Sequence, residues 1–318
     1  MIILAIETSC DETAMAIVED GRKVIANVVY TQIDIHTKFG GVVPEVASRE
    51  HIKKVTYVLK ELLDESKMSI DDVDYIAVTD HPGLIGSLMV GINTAKVLGM
   101  IYHKEVIYVD HIYGHIYANY LKEDFLFPTL ALVVSGGHTE LVLMKEHFNF
   151  EILGETVDDA VGESYDKVAR VVGVGYPGGP ILDKMAAEGE ATYQLPRPKL
   201  DGYDFSFSGL KSSVINLYNK VNMKGESLRY NDLAASFQQA VIEVLVSKTA
   251  KAAKEYNVKE VILAGGVSAN KGLRKALEDK MKEMNIKFCC PEFKYCTDNA
   301  AMIGAAAYNQ IIKEKHLR

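Results

Sequence analysis

Two histidines four residues apart open the chemistry of this chain. His111 and His115, in Asp110-His111-Ile112-Tyr113-Gly114-His115, share one face of a helix and lie close enough to hold one divalent ion. An apolar run at 105–109 precedes them, so they sit at the C-terminal end of an expected strand. A pair of solvated or core histidines is the plainer alternative. A zinc peptidase would need H-E-x-x-H, with the glutamate as general base, and Ile112 occupies that place. A third ligand must come from elsewhere. Asp298, in Cys296-Thr297-Asp298-Asn299, is the best candidate; at the head of an apolar helix it serves equally well as an N-cap, and the two roles are compatible.

Three glycine turns offer backbone amides to an anion: Ser135-Gly136-Gly137-His138, Tyr176-Pro177-Gly178-Gly179-Pro180 and Ala264-Gly265-Gly266-Val267-Ser268-Ala269-Asn270. Each alone reads as an ordinary turn; three in one chain, two of them at strand ends, point to a nucleotide. None is a P-loop or a dinucleotide fingerprint. Acidic residues stand beside the turns: Asp11 and Glu12 in the first hairpin, Asp166, and Asp183 after the Pro-Gly-Gly-Pro run. Carboxylates there suit a ribose hydroxyl, a hydrated Mg²⁺ or a proton, against the alternative of solvated loop acids.

These residues need elements to hold them. Residues 4–18 (LAIETSCDETAMAIV) and 130–144 (LALVVSGGHTELVLM) align without a gap at an offset of 126. Each is an apolar run, a short polar turn and a second apolar run, which predicts two equivalent β-hairpins. Helical periodicity covers 50–65, with Ile52, Val55, Leu59 and Leu62–Leu63 on one face. Strands are expected at 74–79, 105–109 and 259–264, and helices at 88–102, 231–256 (capped by Asn231) and 298–313. This alternation predicts an α/β architecture with ligands at the strand C-terminal ends. The stretch 173–209 is too long for a plain connector.

Composition narrows the class. The chain has 318 residues, a net charge of −8, 48% hydrophobic and 25% charged residues, the profile of a globular protein of about two domains. No run of the roughly 18 apolar residues needed to span a membrane stands out, and the apolar start at Met1–Ile6 lacks the basic region of a signal peptide. Cys10, Cys289, Cys290 and Cys296 form no C-x-x-C pair, so reduced, mostly buried thiols are expected rather than a zinc site. The acidic balance speaks against a general nucleic-acid coat and leaves room for a local basic patch.

Nine motifs spread over nearly the whole chain carry a resemblance. They are ETSCDET (7–13), GGVVPEVASREH (40–51), HPGLIGSLMVG (81–91), DHIYGHIYA (110–118), VSGGHTEL (134–141), GESYDKVARVVGVGYPGGP (162–180), FSFSGLKS (205–212), LAGGVSANKGLR (263–274) and CTDNAAMIG (296–304). The sequence resembles the tRNA N6-adenosine threonylcarbamoyltransferase family. Val134 and His138 favour its bacterial branch, called TsaD, over the archaeal one. The resemblance implies a duplicated two-lobe fold of the actin/Hsp70/sugar-kinase type, with a nucleotide and metal cleft between lobes. It implies an N-terminal lobe of 1–110 plus 296–318 and a C-terminal lobe of 111–295. It implies His111, His115 and Asp298 as ligands of one Fe²⁺ or Zn²⁺ per subunit. Substrate is then held by Val134, Ser135, Gly136, Gly137, His138, Asp166, Gly179, Asp183 and Asn270, and Asp11 and Glu12 act in the reaction. The implied substrates are threonylcarbamoyl-AMP, with Mg²⁺ accompanying a bound nucleotide, and the adenosine 3′ of the anticodon in tRNAs reading ANN codons. The implied partners are tRNA, a paralogous dimerisation subunit (TsaB type) and a P-loop ATPase subunit (TsaE type), in the cytoplasm and without a membrane. The stretch 81–101 is a candidate helix interface; Lys38, Arg49, Arg197 and Lys199 are candidate tRNA contacts that equally suit plain solvated surface. A small-molecule kinase or ATPase of the same fold, a metallopeptidase resting on H-x-x-x-H, and a binding-only scaffold are the alternatives.

Overall fold

The computed structural model describes residues 1–225 and 227–316. Its contacts divide the chain into one unit of Met1–Asp124 with Pro291–Arg318 and another of Phe125–Cys290. The first boundary therefore falls after the His111–His115 segment rather than before it, so both histidines belong to the same unit as Asp298.

The first unit holds β1 (Ile2–Glu7), β2 (Glu12–Glu19), β3 (Lys23–Thr31), α1 (Ile33–His36), α2 (Pro44–Ser66), β4 (Tyr75–His81), α3 (Ile85–Tyr102), β5 (Glu105–Asp110) and α4 (His111–Tyr117). The second holds β6 (Thr129–Val134), β7 (Thr139–Glu146), β8 (Asn149–Glu155), α5 (Val161–Val172), α6 (Gly178–Ala187), α7 (Ser208–Met223), α8 (Tyr230–Glu255), β9 (Glu260–Ala264), α9 (Lys271–Glu283) and β10 (Lys287–Cys289). The chain then returns to the first unit as α10 (Ala300–His316).

Each unit is built on a five-stranded sheet, in the orders β3-β2-β1-β4-β5 and β8-β7-β6-β9-β10. In both, three strands form an antiparallel meander and the last two join in parallel. The expected repeat is present to the residue. Leu4 faces Ile17 and Ala5 faces Ala16 in the first hairpin; Leu130 faces Leu143 and Ala131 faces Val142 in the second, each position displaced by 126. The first strands of both hairpins are near-continuous apolar runs because both of their faces are buried.

Two helices differ from their sequence pattern. On α2 the buried residues are Ala47, His51, Val55, Val58 and Leu62, while Ile52 is 64% exposed. Val55 and Leu62 are buried and Leu59 and Leu63 pack against the same core, so of the expected stripe only Ile52 turns outward, while its neighbour His51 is buried with two hydrogen bonds. On α8, Asn231 lies inside the helix, and no side chain caps the start. A third difference concerns α3. Polar residues interrupt its sequence, so no single apolar run stands out, yet its 18 residues have a mean hydropathy of 1.3. By length and composition it is able to cross a membrane, which corrects the sequence expectation. It packs its Ser87, Leu88, Gly91, Ala95, Leu98 and Gly99 side on β4 and α2, and it leaves Ile85, Met89, Met100 and Ile101 exposed.

Candidate metal centre and anion-binding turns

Asp110 ends β5 and caps α4, its side chain accepting from Tyr113 N at 3.0 Å, and this fixes the start of the helix that carries both histidines. One turn further on, Gly114 faces α10: a Cβ there would stand 2.6 Å from Ile303 Cδ1. The missing side chain lets α4 lie against α10, and so brings His111 and His115 to Asp298, just ahead of that helix. Asp298 Oδ1 is 3.1 Å from His115 Nε2 and 3.6 Å from His111 Nε2. One ligand atom from each residue falls within a 4.8 Å set. The donors of a tetrahedral ion at ordinary zinc or iron bond lengths lie about 3.4 Å apart, so these spacings suit a bound divalent cation. Two imidazoles and a carboxylate are also its expected chemistry. The capping role weighed for Asp298 falls to Asn299, whose Oδ1 accepts from Met302 N at 3.1 Å.

Behind the histidines stands Glu7, fully buried at the end of β1. Its Oε2 lies 3.1 Å from His111 Nδ1, with Ser9 Oγ at 3.2 Å from the same nitrogen, and its carboxylate also takes the Ser9 amide and the Thr79 hydroxyl. With Nδ1–H donated to Glu7, the Nε2 lone pair of His111 is directed to the ion site. Burial alone would lower the His111 imidazolium, but facing Asp298 and Glu7 raise it to about 9. Burial alone would raise Glu7, but His111 holds it below the usual carboxylate range. A positive charge is thus stabilised here, proton or metal. His115 Nδ1 is buried and finds no hydrogen-bond partner among the described residues.

Asp11 and Glu12 lie in and just after the β1–β2 turn. Asp11 is buried and Glu12 half-buried. Thr31 Oγ1 donates to Glu12 Oε1 at 3.1 Å. Burial, with Asp298 and Asp11 nearby, pushes the Glu12 carboxyl well above the ordinary range. The turn is pinned from α2: His51 Nε2 donates to the Cys10 carbonyl at 3.0 Å, and its Nδ1 accepts from Thr13 Oγ1 at 2.8 Å. Burial holds the His51 ring below its usual pKa, in keeping with that neutral tautomer.

In the second unit the Ser135–His138 turn closes on itself: Ser135 N donates to the His138 carbonyl at 2.8 Å and His138 N to Ser135 Oγ at 3.0 Å. Gly136 and Gly137 are exposed, and a Cβ on either would meet nothing within 4 Å, so open space lies over their backbone. Val134 is fully buried in the core, so only its backbone can serve a ligand. Gly265 lies beside it at φ +87°, where a Cβ would strike the Val134 carbonyl oxygen at 2.4 Å. Glycine is required there. Asp166 accepts from Gly178 N at 2.7 Å at the head of α6; burial raises its carboxyl against the amides of Gly178 and Gly179. Gly179 has open space where a Cβ would stand. Asp183 and Asn270 meet around Gln238, which sequence reasoning missed: Gln238 Nε2 donates to Asp183 Oδ1 at 3.0 Å, and Asn270 Nδ2 donates to Gln238 Oε1 at 2.7 Å. Its signal was a polar residue on the buried face of a helix. Glu7 was missed too, and its signal lay in the repeat, where the position equivalent to Glu7 is the apolar Val133. None of the four cysteines forms a disulfide among the described residues; Cys289 and Cys296 are buried and Cys10 and Cys290 partly so, and none joins a cluster able to hold a metal among the described residues. Arg197 pairs with Glu243 at 2.7 Å.

The twin sheets are those of a known class. The chain is similar to full-length HypF in its phosphate- and nucleotide-bound form, with TM-score 0.64 at 17% identity, over 98% of this chain and 46% of that one. It is also similar to component A of Acidaminococcus fermentans (R)-2-hydroxyglutaryl-CoA dehydratase, with TM-score 0.57 at 15% identity, over 98% and 99%. At such identities the likeness defines the fold: an α/β, two-lobe protein of the actin/Hsp70/sugar-kinase type, here with a two-histidine, one-carboxylate site. Sequence carries the assignment further. Residues 23–305 match the family model TsaD, tRNA N6-adenosine threonylcarbamoyltransferase. The chain is 56% identical to the Bacillus subtilis tRNA N6-adenosine threonylcarbamoyltransferase, covering 100% of this chain and 92% of that protein. It is 55% identical to the Staphylococcus carnosus one, over 96% and 90%. The chain belongs to the tRNA N6-adenosine threonylcarbamoyltransferase family and is a transferase.

Proposed function

We propose that this chain transfers the threonylcarbamoyl group of threonylcarbamoyl-AMP to N6 of the adenosine 3′ of the anticodon, in tRNAs reading ANN codons. The observation that carries the metal-assisted form of this reading is the convergence of His111, His115 and Asp298 on one point, with Glu7 on the far nitrogen of His111. A divalent ion held by those three residues, Fe²⁺ or Zn²⁺, supplies Lewis acidity and orientation to the carbamoyl group.

An exocyclic amine is a weak nucleophile, and it must lose a proton as the N–C bond forms and the carbamoyl–phosphate C–O bond breaks. Asp11 or Glu12 accepts that proton. AMP leaves with the electrons of the broken bond. In the second unit, the amides of Gly136 and Gly137, together with the Val134 backbone, Ser135, His138 and Gly179, hold the anionic part of the adenylate. Asp166, Asp183 and Asn270 hold its polar groups, with Mg²⁺ accompanying a bound nucleotide. The target adenine leaves its stack, which costs least in an anticodon loop. Such a reaction belongs in the cytoplasm. A paralogous subunit of the TsaB type docks on the apolar face that α3 exposes, and a P-loop ATPase of the TsaE type completes the set.

The test is nucleoside analysis of tRNA incubated with the chain, those two subunits and a purified synthase that supplies threonylcarbamoyl-AMP. Replacing His111 and His115 together by Ala is expected to abolish the modified nucleoside. Unchanged modification would overturn the metal's role.

A further inference from the structure

One buried side chain touches two of the residues assigned to the adenylate. Gln238, on α8, is 8% exposed. Its Oε1 accepts from Tyr165 Oη–H at 3.2 Å and from Asn270 Nδ2–H at 2.7 Å, and its Nε2–H donates to Asp183 Oδ1 at 3.0 Å. Only one orientation of the amide satisfies these contacts, because a carboxylate needs a donor and an Asn amide nitrogen an acceptor. Tyr165 stays a donor, since burial raises its phenol far above the usual range.

The other ends of the same two residues are tied to the start of α9. Asn270 Oδ1 accepts from Leu273 N at 2.8 Å, and Asp183 Oδ2 accepts from Lys271 N at 3.3 Å. Asp183 (α6) and Asn270 (head of α9) are therefore each held at both ends, by an α9 amide on one side and by Gln238, reaching from α8, on the other.

We propose that Gln238 is the positioning residue of the adenylate site, setting the orientation of Asp183 and Asn270 through its carboxamide. This rests on the reading that those two residues bind the adenylate. Methionine at 238 keeps the volume and removes all three bonds. Glutamate keeps both acceptor contacts and turns the donor into a charge facing Asp183.

The experiment measures AMP binding by calorimetry, and steady-state rates with threonylcarbamoyl-AMP, on the full chain with its partner subunits. Q238M and Q238E are each expected to weaken AMP binding by about tenfold, the worth of one to two hydrogen bonds. KM for the adenylate should rise in step, with kcat within about threefold of wild type. A merely structural core residue would lower the melting temperature without that split. D183A and N270A run beside them. If both weaken AMP binding and a folded Q238M does not, the proposal fails and the adenylate site stands. If D183A and N270A bind AMP like wild type, the site reading fails and takes the proposal with it. Should Q238M not fold, Q238E decides: it keeps the volume and removes the donor to Asp183, so weaker AMP binding supports the proposal and unchanged binding overturns it.

Discussion

Glu7 Oε2 lies 3.1 Å from His111 Nδ1, joining residues 104 positions apart in a pocket where Glu7 is fully buried. The carboxylate fixes the imidazole tautomer and raises its basicity toward a metal on the opposite nitrogen. Changing Glu7 to Gln keeps the shape and removes the charge. The expected result is a fall of about 10–100-fold in Zn²⁺ or Fe²⁺ affinity, read by competition with a chelating dye.

Metal and proton compete for His111, which without metal is raised to about 9. A raised histidine stabilises the fold fully below its unfolded value of about 6.5, and this stability is lost as pH rises through 9. The metal-free protein should therefore lose melting temperature between those values. Added Zn²⁺ should raise the melting temperature more at pH 8 than at pH 6, because the ion displaces the His111 proton and that proton is held more completely at the lower pH. An equal rise at both values would contradict this competition.

Glu12 titrates in the opposite sense to a salt-bridged carboxylate. Burial, Asp298 and Asp11 raise it, so the folded chain holds the proton more tightly than the unfolded chain. Stability falls as pH climbs from the ordinary glutamate range through the raised value. E12Q should remove that loss, and its melting temperature should gain on wild type more at pH 8 than at pH 5. If Glu12 rather than Asp11 is the proposed proton acceptor, kcat of E12Q should fall by about 10²–10⁴-fold.

The outer face of α3 carries Met100 and Ile101, exposed by 71% and 61%. Replacing both by Asp should change folding stability by less than about 1 kcal/mol, since neither is in the core. The same change should abolish association with the proposed TsaB-type subunit in size-exclusion chromatography. Association that survives it would remove α3 from the interface.

Much of the fold was legible because its signals are local. The 126-residue repeat shows in the alternation of apolar and polar residues, and both hairpins pair in the register it implies. The histidine pair was legible because helix geometry puts positions i and i+4 on one face. On α2 local periodicity was less reliable, since His51 bonds to Cys10 and Thr13 and takes a core position that hydrophobicity alone assigns to Ile52. For α3 the difficulty was averaging: polar residues break the run but not the mean.

By itself, then, the sequence determined the duplicated α/β units, the glycine turns and the candidate ligands His111, His115 and Asp298, because two- and 3.6-residue periods and short motifs are properties of neighbours along the chain. Tertiary structure alone decided that Glu7 backs His111, that Asn299 rather than Asp298 caps α10, and that Gln238 ties Asp183 to Asn270. For Glu7 and Gln238 the partners lie on separate elements, and the strength of a buried polar contact depends on which groups the packed core brings within hydrogen-bond reach. For Asn299 the decision was a two-residue shift in where α10 begins, which puts its Oδ1 rather than that of Asp298 within reach of a first-turn amide, Met302 N.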